Sequence, residues 1–466
     1  MKRFLNSYQQ LVRVLFCCLL FVFFWTKPLF AQDAPTNMDL ANAINNLWVL
    51  VAAILVFMMQ LGFAMLESGF NAVKNTVNVL FKNVIDVCIG VLIFFSFGYA
   101  IMFQPAQDVA PEQIIKILDI GNQSYLWEIH LPYLFLQDIT PRLGANFIAL
   151  HIDFFFQVAF AATAATICSG AVAGRMRPWA YVVLTFVMIG IVYPTSGYWA
   201  SGGWLYERGF RDFAGSLSVH AVGGFASLAC VLLLKARFGK FANREELTPQ
   251  ELRQLASHNL PLATLGMFIL WIGWYGFNVG STLGIIGNDN TPQLVGLIAL
   301  NTTLAACAGA ALVTVARQMA TGRIELSMVI QGVLGGLVAI TASCNLVEPI
   351  QSIIIGAVAG LLVIVGVYLL NELKIDDAVG AFGVHGLCGI WGGIAAGLFV
   401  ESISIPSQVL GSLVIPAWSF VVVFVLLGII SRFADIRVSP EVEKRGLDFF
   451  EHGEVAYSLN ESGDAS

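Results

Sequence analysis

Two stretches decide the fold: "RDFAGSLSVHAVGG", Arg211 to Gly224, and "IDDAVGAFGVHGLCGIWGG", Ile375 to Gly393. In each, an aspartate (Asp212, Asp377) stands eight residues before a histidine (His220, His385), and beyond the histidine the chain is apolar and rich in glycine. Only six histidines occur in 466 residues, so two of them in one frame, inside membrane-like stretches, ask for a common cause.

The setting is a membrane. Hydrophobic residues make up 58% of the sequence, charged residues 12%, and the mean hydropathy is +0.78; a soluble domain carries about 25% charged residues. Apolar runs of about 18 residues and longer recur, the length that crosses ~30 Å of hydrocarbon at ~1.5 Å per residue. The net charge of −6 argues against nucleic-acid binding, which needs a basic surface.

Residues 1–31 read differently: basic "MKRFLNSYQQLVRV", the short apolar core "LFCCLLFVFF", and "WTKPLFA" ending on Ala31. This is the layout of a signal peptide cleaved after Ala31; the alternative is an uncleaved first span. The expected organisation is 1–31 signal peptide, 32–433 transmembrane domain and 434–466 cytoplasmic tail. Beyond Cys17 and Cys18, the six other cysteines lie scattered in apolar runs without C-x-x-C spacing, as packing residues do.

After residue 31 the hydropathy predicts eleven spans, centred near Leu55, Leu92, Phe160, Phe186, Leu228, Phe268, Ala305, Leu337, Leu361, Gly392 and Val423. Alternate connections sort the basic residues unequally. Sixteen Lys and Arg, from Lys74 to Arg445, fall on one side and only Lys116, Arg142, Arg208 and Arg211 on the other. The basic side is the cytoplasm, which places the mature N-terminus outside and the C-terminus inside. The fold expected is an all-α polytopic membrane protein: two inverted five-helix repeats and a final helix. A five-span unit is odd, so its second copy enters upside down, and the functional site of such a fold lies near the midplane.

The repeat gives the shared frame a geometric reason. If each aspartate caps a helix start near its own face, eight helical residues carry each histidine ~12 Å inward, so both imidazoles approach the bilayer centre. A buried histidine is often a satisfied core residue, but intramembrane ionisable groups mark pathways. Two pathways fit: bis-histidine haem ligation in a membrane oxidoreductase, or conduction of a small polar solute past two neutral imidazoles, each offering one donor and one acceptor.

The motifs "GFAMLESGFNAVKNTVNVLFKN", "FFFQVAFAATAATICSGAVAGRM", "DFAGSLSVH", "WIGWYGFNVGS", "LGGLVAITASC", "DDAVGAFGVHGLCGIWGG" and "RVSPEVEKRGLDFFEHGEVAY" occur in that order. In these the sequence resembles the ammonium transporter family (Amt/Mep/Rh), on its Amt/Mep branch, over nearly all of the mature chain. The resemblance implies a homotrimeric plasma-membrane transporter of ammonium/ammonia (methylammonium as analogue), with no enzymatic activity, cofactor or metal. It implies recruitment at Phe160, Trp199, Ser281 and Asp212, a gate of Phe160 and Phe277, and a pore lined by His220, His385 and Trp274. Trp204 is the alternative to Trp199, because the interval to Asp212 is one residue longer than the family pattern. Gly380 stands where relatives carry another aspartate, so no second acidic site is assigned. The tail match implies packing beneath the trimer and a PII-type regulator as partner. An ammonium sensor on the same scaffold is the nearest alternative, although residues after the last span carry no recognisable signalling-domain pattern. The outer connection near Phe103 to Leu143 matches no interpretable motif.

Overall fold

Eleven apolar helices organise the computed structural model, which describes residues 35–103, 113–121, 124–136, 148–242, 248, 255–287 and 292–457. They are α1 Asn37–Phe70, α2 Val73–Met102, α3 Leu150–Ala171, α4 Pro178–Glu207, α5 Ser216–Leu234, α6 Leu260–Val279, α7 Pro292–Thr321, α8 Leu326–Ile340, α9 Pro349–Glu372, α10 Phe382–Phe399 and α11 Ile405–Ile430. Ten have the length and apolarity of membrane spans, and α8 is a shorter apolar helix of 15 residues. All eleven expected centres fall within these bounds. The signal-peptide reading of 1–31 lies outside the described residues.

Helix starts follow local chemistry. At α1 and α9, Thr36 with Asp39 and Glu348 with Gln351 form reciprocal capping boxes. Pro178, Pro261, Pro349 and Pro406 sit in the first turns of α4, α6, α9 and α11, where a missing N–H costs nothing. The most apolar 18 residues of α3 are 83% buried but those of α11 only 28%, so α3 is central and α11 peripheral. The six described cysteines are free, four of them buried.

The connection between α2 and α3 adds an element that the helical pattern did not announce: an antiparallel hairpin of β1 (Ile114–Gly121) and β2 (Ser124–His130). It is tied to α4 by two indole bonds. Trp127 Nε1 donates to Thr195 Oγ1 at 2.8 Å, and Trp199 Nε1 donates to the Leu126 carbonyl at 2.9 Å.

At the opposite end a charged knot joins the helices. Asp376, before α10, accepts two bonds from the Arg237 guanidinium, at 2.7 and 2.9 Å, and Arg175 reaches both its carboxylate and its carbonyl. The tail is stitched on here. Val438 N donates to the Arg175 carbonyl, Arg437 pairs with Glu443 at 2.6 Å, and Leu447 N and Asn78 N bond Asn75 and Asp448 side chains respectively. Thus residues 436–448 are packed, with Ile436, Val438 and Leu447 buried.

Burial alone would push the Asp376 carboxyl up, but Arg237 and Arg175 hold it well below the usual carboxylate range. Its stabilisation is therefore complete above the unfolded value, about 4, and is lost as pH falls through the lower folded value. Asp376→Asn is expected to lower the thermal midpoint in detergent at pH 7 by the equivalent of roughly 3–5 kcal/mol, since the fully buried Arg175 and the partly buried Arg237 lose their partner. Thermal unfolding from pH 7 to pH 3 checks this: the gap to the native chain should narrow at the acid end, and a gap equally wide throughout contradicts it.

Candidate functional site

Asp212 and Asp377 both cap, but not the uniform helices expected. Asp212 Oδ2 accepts from Leu217 N (3.0 Å), Ser218 N (2.8 Å) and Ser218 Oγ (3.0 Å). The Asp377 carboxylate accepts from Gly380 N (3.0 Å) and Phe382 N (2.8 Å). Three residues after each aspartate the chain turns through a left-handed glycine, Gly215 at φ 107° and Gly380 at φ 80°. Each histidine then sits in a π-helical segment, Ser216–Ala221 or Phe382–Leu387. Part of the eight-residue interval is therefore loop, and the step is not the uniform run of helix expected. The signal was in the sequence: Asp-x2-Gly-x3-Val-His occurs twice, because only glycine tolerates that turn. At Gly380 a Cβ would also meet Gln331 at 2.8 Å, so this position leaves no room for an aspartate as the chain stands.

The histidines nevertheless meet. Their Nδ1 atoms are 3.3 Å apart and their rings are stacked with centroids 5.3 Å apart. Backbone contact makes this possible: a Cβ on Gly224 would lie 2.2 Å from Gly386 N, so α5 and α10 touch four residues after His220 and one after His385. A ring pair in such contact leaves no gap for a macrocycle, so the haem reading fails on geometry.

Outward from His220 the stack continues. Trp274 lies over it at 5.0 Å and is fixed by Nε1 donating to Thr341 Oγ1 at 2.9 Å. Phe277 is 5.2 Å from His220, and Phe160 is stacked on Phe277 at 4.1 Å. Phe277 and His220 are fully buried. Phe160 lines a cavity of about 600 Å³ at the hairpin end, the outer cavity in the orientation expected from the sequence, whose wall includes Asp212, Ser218 and Ser281. Ser281 Oγ donates to the Phe277 carbonyl at 2.7 Å, which commits its proton and leaves the oxygen as an acceptor. Burial raises the Asp212 carboxyl above its ordinary value against the pull of the Ser218 and Leu217 bonds, and Oδ1 has no hydrogen-bond partner among the described residues.

Trp199 is not brought to this cavity. Its indole is spent on the hairpin, and its ring packs on Trp204 and Trp418, at 5.9 and 5.2 Å. Trp204 is absent from the wall too; Arg208 lies over its ring at 4.9 Å. The aromatics that do line the cavity, besides Phe160, include Phe103, Phe156, Tyr193 and Tyr206. Phe156 was legible as the i−4 neighbour of Phe160; Tyr206, two residues beyond Trp204, carried no signal.

Inward from His385 comes a cavity of about 20 Å³, then an inner one of about 220 Å³ lined by Gln331, Asp377 and Gly380. Gly224→Ala should force α5 and α10 apart, an overpacking cost of about 1–3 kcal/mol, whereas Gly296→Ala has nothing within 4 Å to disturb. Thermal unfolding in detergent is expected to show a lower midpoint for the first only; equal midpoints contradict the contact.

Comparison with known proteins places this geometry. A family model described as Ammonium Transporter Family matches residues 47–457. A Synechocystis relative is 46% identical over 432 residues, covering 91% of this chain and 92% of its own length. The "Ammonium transporter Amt2" of Archaeoglobus fulgidus is 38% identical over 483 residues, covering 96% and 95%. Among solved structures, "Sensor Amt Protein" aligns with a TM-score of 0.78 at 35% identity, covering 89% of this chain and 99% of that one. Candida albicans Mep2 aligns at 0.73 and 27%, covering 87% and 89%.

Proposed function

From the premise that this chain belongs to the ammonium transporter family, we propose that it moves ammonium by parting it from a proton: ammonium is held and deprotonated in the outer cavity, and ammonia passes the histidine pair. The observation that carries this reading is the unbroken series Phe160, Phe277, His220, His385, in which none of the four groups bears a fixed charge and neighbouring rings lie 4.1 to 5.3 Å apart.

The energetics favour the neutral species. A cation over an aromatic face gains ~0.5–2 kcal/mol, enough to concentrate ammonium at Phe160. Carrying the ion to the bilayer centre costs from ~3 to more than 10 kcal/mol. Ammonia avoids the charge penalty and hydrogen-bonds along the imidazoles. Ser281, committed as an acceptor, suits an N–H donor, and the Asp212 carboxylate supplies negative potential to the same cavity. Trp274 holds the His220 ring in place rather than meeting the solute in the outer cavity. Trp199 acts through the hairpin, tying it to α4, whose residues Tyr193, Gly197 and Ala200 line the cavity. Phe160 and Phe277 together are the gate.

The reading extends to a multi-pass protein of the plasma membrane, residues 32–433 spanning it, with the hairpin outside and the tail, from 434, in the cytoplasm. The hydrogen-bonded tail supports a regulatory contact on that side, for which a PII-type protein and a homotrimer are the family's candidates.

Methylammonium uptake into proteoliposomes tests the proposal. Asp212→Ala and His220→Ala/His385→Ala are expected to reduce uptake roughly tenfold or more, equivalent to about 1.4 kcal/mol on the barrier, and Phe160→Ala to weaken selectivity over other cations. Wild-type uptake in the double-histidine variant would refute the role given to the pair.

A further inference from the structure

We propose that Glu67, supported by Lys82 and Asp86, is a proton-accepting site on the inner side of the histidine pair, which returns to ammonia the proton removed in the outer cavity. The inference rests on the transport reading above and adds to it the route of the proton.

The cavity of about 20 Å³ inside the pair is bordered by His385 and Glu67, with Phe63, Phe70, Ile167 and Val379 among its other walls. Its size suits one water molecule. Glu67 is 2% exposed. Its Oε2 accepts from Asn83 Nδ2 at 3.0 Å and from Ser169 Oγ, while Oε1 takes part in neither bond. Gly170 makes room for this carboxyl, since a Cβ there would meet Glu67 Cδ at 3.1 Å.

A buried acid can be a structural partner and nothing more, but the arrangement differs from a closed ion pair. Lys82, fully buried, donates at 2.6 Å to the Ser169 carbonyl rather than to Glu67. Asp86, fully buried on the same helix, accepts from Tyr181 at 2.5 Å and Thr185 at 2.7 Å. Asn83 Oδ1 in turn accepts from Thr166 at 2.9 Å. Two carboxyls thus share one ammonium. Fully ionised, the set carries one negative charge in excess inside the bilayer, which is costly and which one proton cancels. The charged or titratable groups facing Glu67 are Lys82 and Asp86 from α2, Cys168 from α3, Tyr181 from α4 and His385 from α10.

The balance is simple. In the outer cavity an ammonium N–H bond breaks, its electron pair stays on ammonia, and the proton joins the imidazole pair. The N–H of His385 then breaks as an O–H forms on the Glu67 carboxylate, across the width of one water. Ammonia arriving from the pair takes that proton, which restores ammonium and the carboxylate. Phe70 and Val379 border both this cavity and the inner one, so release is toward the inner mouth. One ammonium, with its charge, has crossed without the ion occupying the centre.

The test is methylammonium uptake into proteoliposomes under an imposed potassium–valinomycin diffusion potential. An inside-negative potential should accelerate uptake by the native chain, and in Glu67→Gln, which keeps the shape but not the acid, that acceleration should fall about tenfold or more. Glu67→Gln responding to the potential as the native chain does would overturn the proposal. Because Glu67→Gln could fail to fold, Ser169→Ala is a second arm. It removes one donor to the carboxylate and should displace the pH profile of potential-driven uptake toward higher pH; an unmoved profile would overturn the proposal. Native uptake that ignores the potential overturns this inference alone, whereas no native uptake at all overturns the transport reading beneath it.

Discussion

Taking a charge out of water sets the terms for this molecule. Neither the cation–π gain at one aromatic ring nor a single hydrogen bond approaches the cost of an ammonium ion at the centre of a bilayer. The interior between the two mouths is built accordingly: four stacked rings, fully or nearly buried, with acids held to either side. Asp212 borders the outer cavity and Asp377 the inner one, each also capping the segment that carries its histidine. The same side chain thus orders the backbone and sets the local potential.

Holding two imidazoles in contact requires two helices to touch through their backbones, and glycine is the only residue that allows it. Gly224 against Gly386 is one such contact, and Gly389 against the Ser216 carbonyl, where a Cβ would come within 2.5 Å, is another. The π-helical turns add the second ingredient. They take each histidine out of regular α-helical register, in keeping with the recurrence of such turns at functional sites. A third, Tyr275–Val279, carries Phe277. Packing energy from the apolar helices supports these irregular segments, while Ser216, bonded to the Val338 carbonyl and to Ala342 N, pins the start of α5 to α8.

Much of the fold was legible because membrane spans write themselves as long apolar runs. Even α8, too short to qualify by length, was visible as an apolar run centred on Leu337. The histidine pair was legible from its repeated frame, and Phe160, Phe277, Trp274 and Ser281 through motif likeness. Three things were not. The hairpin at 114–130 lies in a connection whose pattern is neither long nor apolar enough to stand out, and it diverts Trp199, whose indole bond depends on a carbonyl 73 residues away. The loops before α5 and α10 were read as helix, since left-handed glycine turns break no hydrophobic periodicity. Glu67 sat within a recognised motif, yet its meaning depends on Ser169, Asn83 and His385, which only folding brings beside it.

The central claim is that passage demands a solute able to shed its charge. Proteoliposomes carrying the native chain, loaded with a pH dye and a potassium-sensitive dye and exposed in turn to ammonium and potassium gradients, test it most directly. The account expects rapid passage of ammonium and no potassium flux above that of protein-free vesicles, because potassium has no proton to give up. Potassium crossing at a rate comparable with ammonium would mean that the intact ion traverses the ring series, and would contradict the account.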